Sequence, residues 1–207
     1  MQKTIVSLFD HTGNWCYYYK KHGYDVIQHD LKTGQDIFAH TIPAAIDDHV
    51  EKNYIHGLLA AVPCTDFAAS GARWWKQKET QAVDYEGPVS FDNTVEMSVF
   101  MALAVLFVVE LLKPKWWCIE NPVGRLHKLV PEVGKPRMYF NPHDFGHPYS
   151  KKTALYGDFN TNLTPTPVLN LFGSEMWAKY GGKSEKTKAI RSVTPLGFAK
   201  AFFEANK

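Results

Sequence analysis

The sequence predicts an α/β protein built on a mostly parallel sheet with helices on both faces. Three observations point there. Short apolar or β-branched runs alternate with helix-length segments up to about residue 120. Glycine and proline punctuate the alternation at Gly23, Pro63 and Pro114. Polar clusters then follow the strand-like runs at Asp10 to Asn14, at Pro63-Cys64 and at Glu120-Asn121, which is where ligands sit in such sheets, beyond the carboxyl ends of the strands.

In chain order, Thr4 to Phe9 is a β-branched and apolar run that predicts a buried strand. After the turn at Thr12-Gly13-Asn14, residues 15–22 suit a helix, ended by Gly23. Tyr24 to Gln28 is a second strand that ends at His29-Asp30, and residues 42–52 suit a short helix opened by Pro43. Ile55 to Val62 is a third apolar run, halted by Pro63-Cys64. From Ser70 to Asn93 the pattern breaks down around Gly71, Gly87, Pro88 and two adjacent tryptophans; a loop of that length is functional or mobile. Thr94 to Leu112 reads as a helix ended by Pro114. Its apolar core, Val99 to Val109, is stopped by Glu110, short of the roughly 18 residues a bilayer span needs, so it predicts a buried helix. Trp116 to Ile119 predicts a strand that delivers Glu120-Asn121-Pro122 at its carboxyl end. Residues 134–178 are rich in proline, asparagine, aromatic residues and turns. Residues 179–191 carry five basic residues against one acid, and Thr194-Pro195 reads as an N-cap and N1 pair opening a helix to about Ala205.

Composition narrows the function classes. A chain of 207 residues favours one domain, and 45% hydrophobic residues argue against long disorder. A net charge of +2 gives no global field for a polyanion, so any nucleic-acid surface must be local. Cys16, Cys64 and Cys118 form neither a disulfide framework nor a zinc pattern, which suits a reducing cytosol. The amino terminus lacks the features of a secretory signal, and a cytoplasmic protein without a membrane segment is expected.

Several residues could carry chemistry. Asp10-His11-Thr12-Gly13 follows a strand and precedes a helix, so backbone N–H groups there can approach a ligand; an ordinary βα turn is the plainer alternative. Asp30 ends the second strand, where a doubly wound sheet holds ribose hydroxyls, and it lies seventeen positions after Gly13; a helix N-cap is the alternative. Cys64 follows Pro63 at a strand end, as a thiolate nucleophile could, although a single thiol is more often a buried structural residue. Cys16 and Cys118 fit the structural role better. Glu120 leaves an apolar strand partly desolvated, which suits general-acid work, and Asn121 before Pro122 is biased to extended geometry that can aim it.

In combination these residues are more specific. Pro63-Cys64-Thr65-Asp66-Phe67-Ala68, followed some fifty residues later by Glu120-Asn121-Pro122, resembles the Pro-Cys and Glu-Asn motifs of the DNA cytosine-C5 methyltransferases, in the same order. Phe9-Asp10-x-Thr12-Gly13 is similar to a compact form of the family's S-adenosylmethionine loop, with Asn14 next to it. Asp30, beside Leu31, matches the acid on the ribose, and Gly34-Gln35-Asp36-Ile37 is similar to the segment on the adenine. Residues 191–203 look like the closing helix of small phage-type members. The resemblance covers most of residues 4–160 and the last helix.

It implies a Rossmann-like class I methyltransferase fold, S-adenosyl-L-methionine as cofactor with Pro63 also against it, and DNA as partner through a flipped cytosine. Cys64 would add to C6, Glu120 would hold or protonate N3, and C5 would take the methyl group. A free thiol has a pKa of about 8.5, so such a site should favour the thiolate. Arg73 and Trp74, in the loop after Cys64, would close over the base and fill the gap in the stack. Lys151 stands in the family's Gln-x-Arg-x-Arg segment, here Tyr149-Ser150-Lys151-Lys152-Thr153, where the second arginine is replaced. Lys183 and Lys186 would grip phosphates without reading sequence.

The pattern departs from the family in two further ways. About 35 residues separate Phe159 from Thr194, too few for an independent target-recognition domain, so residues 1–207 are expected to form one catalytic domain with relaxed or short specificity. Asp30 to Asp36 is too short a link for a crossover helix between parallel strands. A monomer is expected, with a separate specificity partner left open. Three other functions stay open: the same chemistry on RNA or a nucleotide, methylation of an exocyclic amine without Cys64, and a non-catalytic binding module.

Overall fold

The computed structural model describes residues 2–38, 54–173 and 192–207. The helix predicted for residues 42–52 and the basic segment with Lys183 and Lys186 lie outside them.

Six strands form one sheet in the order β2-β1-β3-β4-β6-β5. These are β1 (Lys3–Leu8), β2 (Asp25–His29), β3 (Tyr54–Ala60), β4 (Trp116–Pro122), β5 (Met138–Phe140) and β6 (Thr153–Asp158). The pairs β1·β2, β1·β3 and β3·β4 are parallel, while β6 runs antiparallel to both β4 and β5. Five strands therefore point one way, and the α/β, Rossmann-like fold expected from the sequence is the one observed. The helices are α1 (Tyr17–Lys21), α2 (Trp75–Lys78), α3 (Thr94–Leu112), α4 (Leu126–Leu129) and α5 (Leu196–Asn206).

Side-chain alternation along the strands builds two cores. On one face Val6, Leu8, Leu58, Ala60, Ile119 and Tyr156 pack with Met101, Ala102, Val105 and Val108 of α3. On the other Ile5, Leu59, Cys118 and Leu155 pack with Trp15, Tyr19 and the α5 residues Phe198, Phe202 and Phe203. Phe198 stacks on Phe140 at 3.9 Å between ring centroids, which anchors α5 to the β5 end of the sheet.

Several boundaries differ from expectation. The first strand stops at Leu8, because Phe9 turns into the left-handed region at φ 58°. The helix predicted for residues 15–22 is confined to Tyr17–Lys21, with Trp15 and Cys16 in the preceding turn. β3 ends at Ala60 and not Val62. The segment from Ser70 carries helical turns at Ala69–Trp74 and Trp75–Lys78. β4 runs on to Pro122, so Glu120-Asn121-Pro122 lie within the strand: β3 ends opposite Ile119, but β6 continues to pair with residues 120–122. The stretch 134–178, rich in proline, asparagine and turns and given no strand from sequence, supplies β5 and β6 within its described part. Pro195, not Thr194, takes the N-cap position of the last helix, and the Thr194 carbonyl instead accepts from Asn14 Nδ2 at 3.3 Å.

The helix α3 matches its predicted limits but not its expected burial. Val95, Ser98, Met101, Ala102, Val105, Val108 and Leu112 face the core, whereas Phe100, Leu103, Phe107 and Leu111 are exposed. By length and composition alone this helix could cross a membrane; its inner face packs on the sheet instead.

Candidate active site

The parallel strands bring four polar groups to one edge: the turn after β1, Asp30 after β2, Pro63-Cys64 after β3, and Glu120-Asn121 at the end of β4. Each is set by local bonding.

Cys64 opens a turn. Its carbonyl accepts from Phe67 N at 3.1 Å and Ala68 N at 2.9 Å. The residue is half-buried, whereas Cys16 and Cys118 are fully buried. Asn121 Nδ2 donates to the Val62 carbonyl at 2.9 Å, tying the tip of β4 to the exit of β3 two residues before the thiol. The neighbouring loops are stitched as well: Ala69 N donates to Val123 O, and Arg125 N donates to Phe67 O, each at 2.8 Å. Gly124 permits this approach, since a Cβ there would overlap the Phe67 carbonyl. Glu120 is 9% exposed, with Lys151 Nζ 3.7 Å from its Oε1. The Tyr149 phenol lies near both; burial pushes its pKa up, Lys151 opposes this and Glu120 adds to it.

The segment after Cys64 divides into a pinned base and an exposed tip. Asp66, 4% exposed, accepts from Ser98 Oγ at 2.7 Å and pairs with Lys78 Nζ at 3.2 Å. Arg125 donates through Nε to the Asp66 carbonyl at 2.9 Å and pairs with Glu79 at 3.0 Å, its guanidinium 4.5 Å from the Trp75 ring centre. At the tip Arg73 and Trp74 are exposed, the guanidinium 5.2 Å from the Trp74 ring. Sequence reasoning passed over this anchoring set. Asp66 stood inside the quoted Pro63–Ala68 motif, but Lys78, Glu79 and Arg125 join it only through space.

The turn after β1 is mostly occupied with itself. Asp10, 4% exposed, accepts from Ser7 Oγ at 3.1 Å, Cys16 N at 3.3 Å and Thr12 Oγ1 at 3.4 Å. Gly13 N donates to the Asp10 carbonyl and Asn14 N to Thr12 Oγ1, at 3.0 and 3.3 Å. Asp10, Thr12, Gly13 and Asn14 thus shape the turn through their own bonds.

Beside it, between the ends of β1 and β2 and the helix α3, lies a cavity of about 120 Å³. Phe9, Asp30, Leu31, Asp36 and Ile37 line it, together with Phe38, Met97, Met101 and Tyr85. Five of the residues expected around a cofactor therefore meet at one space; Asp10, Thr12, Gly13, Asn14 and Pro63 are not on its wall. Asp30 also caps the short turn Leu31–Thr33, its Oδ1 accepting from Lys32 N at 2.9 Å. Asp36 accepts from the Tyr85 hydroxyl at 2.6 Å, and burial, with Asp36 beside it, pushes that phenol up to about 12. Neither the Tyr85 contact nor His29, which also lines the cavity, was legible in the sequence.

No family model matches the chain, and no curated protein matches it. Solved structures do. One is a protein assigned as a DNA modification methyltransferase encoded within an E. coli prophage, with TM-score 0.47 and 14% identity over 76% of this chain and 47% of that one. A second is the Entamoeba histolytica methyltransferase EhMeth, with TM-score 0.41 and 15% identity over 87% of this chain and 60% of that one. A third is a Spodoptera frugiperda DNMT2 mutant, with TM-score 0.42 and 15% identity over 78% of this chain and 51% of that one. The chain spans between about half and three-fifths of the length of these structures.

Proposed function

We propose that the chain is an S-adenosylmethionine-dependent methyltransferase acting at C5 of cytosine in DNA, with Cys64 as nucleophile and Glu120 as the carboxyl that holds the base. The observation that carries this reading is the bond from Asn121 to the Val62 carbonyl, 2.9 Å long. It keeps the exit of β3 against the tip of β4, so that a half-buried thiol and a largely buried carboxylate leave the same sheet edge from neighbouring strands.

The lining of the adjoining cavity fits part of the cofactor. Apolar walls at Phe9, Ile37, Phe38 and Met101 suit a flat heterocycle, and Asp30 suits ribose hydroxyls. At about 120 Å³ it takes a fragment the size of the adenine ring; sites for whole drug-sized ligands run to roughly 300–1,000 Å³. When bound, the cofactor supplies a methyl group on a sulfonium.

The chain's own residues do the rest. Cys64 Sγ bonds to C6, and the C5–C6 electron pair moves toward C5. Glu120, protonated, donates its O–H proton to N3 and so limits charge on the ring. C5 takes the methyl group, with S-adenosylhomocysteine as the leaving group; the C5 proton is then lost to water, which restores the double bond and expels Cys64 as thiolate. A base inside a duplex is out of reach, so the target must be extruded, with Arg73 and Trp74 at the exposed loop tip as the wedge. Lys151 neighbours Glu120 and would contact the base or its phosphate. The short segment from about 160 to 193 favours relaxed specificity within one catalytic domain, and it keeps RNA or a nucleotide as the second reading.

The test is a covalent trap. With S-adenosylmethionine and DNA carrying 5-fluorocytosine, the protein is expected to form an adduct stable to denaturation, because fluorine cannot leave as a cation. Cys64→Ala is expected to abolish both the adduct and turnover while leaving cofactor affinity nearly unchanged. Methyl transfer to cytosine without an adduct would falsify the nucleophile. Turnover on RNA or a nucleotide alone would select the second reading.

A further inference from the structure

Asp66 lies two residues after Cys64, inside the turn that the Cys64 carbonyl closes with Phe67 N and Ala68 N. Groups from two other segments converge on its buried carboxylate. Ser98 Oγ donates to Oδ2 at 2.7 Å, Thr94 Oγ1 donates to Oδ1 at 3.4 Å, and Lys78 Nζ stands 3.2 Å from Oδ1. Lys78 also donates to the Thr65 carbonyl, and Arg125 Nε to the Asp66 carbonyl at 2.9 Å. Both residues that follow the thiol are therefore held. Thr94 and Ser98 belong to the first two turns of α3, and Met97 and Met101 of the same helix line the cavity assigned to the cofactor. One carboxylate thus ties the turn of the nucleophile to the helix that walls the cavity. Stability alone does not account for it. A buried ion pair gains little over an apolar pair of similar volume, since desolvation offsets the attraction. What the carboxylate adds is direction, because each of its bonds has a restricted geometry.

We propose that Asp66 is a positioning residue for Cys64, its bonds to Ser98 and Thr94 setting where the thiol stands relative to the cofactor cavity. The inference rests on the function proposed above and deepens it. C5 receives the methyl group while Cys64 is bonded to C6 of the same ring, so thiol and donor must be held at a fixed separation. A displacement of about 1 Å in such an arrangement costs on the order of a hundredfold in rate. Asp66 is not on the cavity wall, so its loss should leave cofactor binding unchanged.

The experiment compares wild type with Asp66→Leu/Lys78→Met and Asp66→Asn/Lys78→Met, each in the full chain. Both remove the ion pair, and only the second keeps an acceptor for Ser98 and Thr94. The readouts are kcat and KM on cytosine-containing duplex DNA, S-adenosylhomocysteine affinity by calorimetry, and the rate at which an aromatic disulfide labels Cys64. Asp66→Leu/Lys78→Met is expected to melt close to wild type, yet to lose roughly thirtyfold or more in kcat, with KM and cofactor affinity within about threefold. Its Cys64 is expected to label faster, because the turn is freed. Asp66→Asn/Lys78→Met is expected to keep kcat within about fivefold of wild type and to label at the wild-type rate. Equal kcat in the two pairs overturns the inference, as does a loss confined to KM or to cofactor affinity. If the first pair does not fold, Ser98→Ala takes its place, with Asp66 still paired to Lys78. A loss of about tenfold in kcat with faster labelling is then expected, and wild-type kcat overturns the inference. Wild type that methylates no cytosine overturns the proposed function instead. The labelling rates then decide the positioning by themselves, and equal rates in the two pairs overturn it.

Discussion

Cys16 and Cys118 are fully buried, and burial pushes the first up to about 12 and the second well above its ordinary value. Asp10 beside Cys16 and Glu120 beside Cys118 push the same way. Thiols held neutral react slowly with disulfides. Native protein is therefore expected to give one fast equivalent with an aromatic disulfide reagent, lost in Cys64→Ala, and the two remaining thiols only after denaturation. Two fast equivalents in native protein would contradict this ordering. At Asn121, removing the amide strips the Val62 carbonyl of its donor inside the core. Asn121→Ala should cost about 1–3 kcal/mol in urea unfolding and also depress turnover, because the thiol and the carboxyl lose their common tether. At Asp30, loss of a charge-assisted bond to the ribose should weaken cofactor binding by about 1.5–3 kcal/mol. Normal affinity in Asp30→Ala would remove that residue from the site.

Among the elements, the loops after β3 and β4 behave as one unit. The bonds Ala69 to Val123 and Arg125 to Phe67, with Arg125 across the Asp66 carbonyl, leave no room for a side chain at Gly124. Gly124→Ala is expected to destabilise by about 1–3 kcal/mol, in the range of overpacked sites, and to lower the rate of adduct formation more than cofactor affinity. A variant with wild-type melting and wild-type rate would show that the loops need no such contact. The helix α3 gives the clearest case of a partly legible element. Its end followed from Pro114; the structure adds that Asn93 caps its start, accepting from the Glu96 N–H at 3.0 Å. Its burial did not follow, since an all-apolar helix carries no signal for which side meets the sheet. β5 and β6 were missed for a related reason. They are short, and β6 draws its stability from pairing with β4 on one side and β5 on the other, a non-local effect absent from its own six residues.

For the molecule as a whole, three histidines set a pH dependence. Burial lowers the pKa of His29, of His56 and of His147 from the ordinary 6.5, with Lys3 and Lys115 lowering His56 further against a raising bond from the Asn206 backbone. Below pH 6.5 the unfolded chain takes up protons that the folded one refuses, so stability falls as pH drops from 7 through 6.5 toward 5. Urea midpoints over that range should decline, and His29→Phe should reduce the slope; a flat profile would mean these rings are protonated in the folded state. The sequence determined the alternating α/β plan, the chain positions of the first four strands and the residue types at their carboxyl ends, because periodicity and turn chemistry act over a few residues. Only the tertiary structure decided that Asn121 clamps Val62, that Asp66 and Arg125 anchor the loop after Cys64, and that Tyr85 meets Asp36 on the cavity wall. Those contacts join positions dozens of residues apart, and their free energy exists only once packing has excluded water between them.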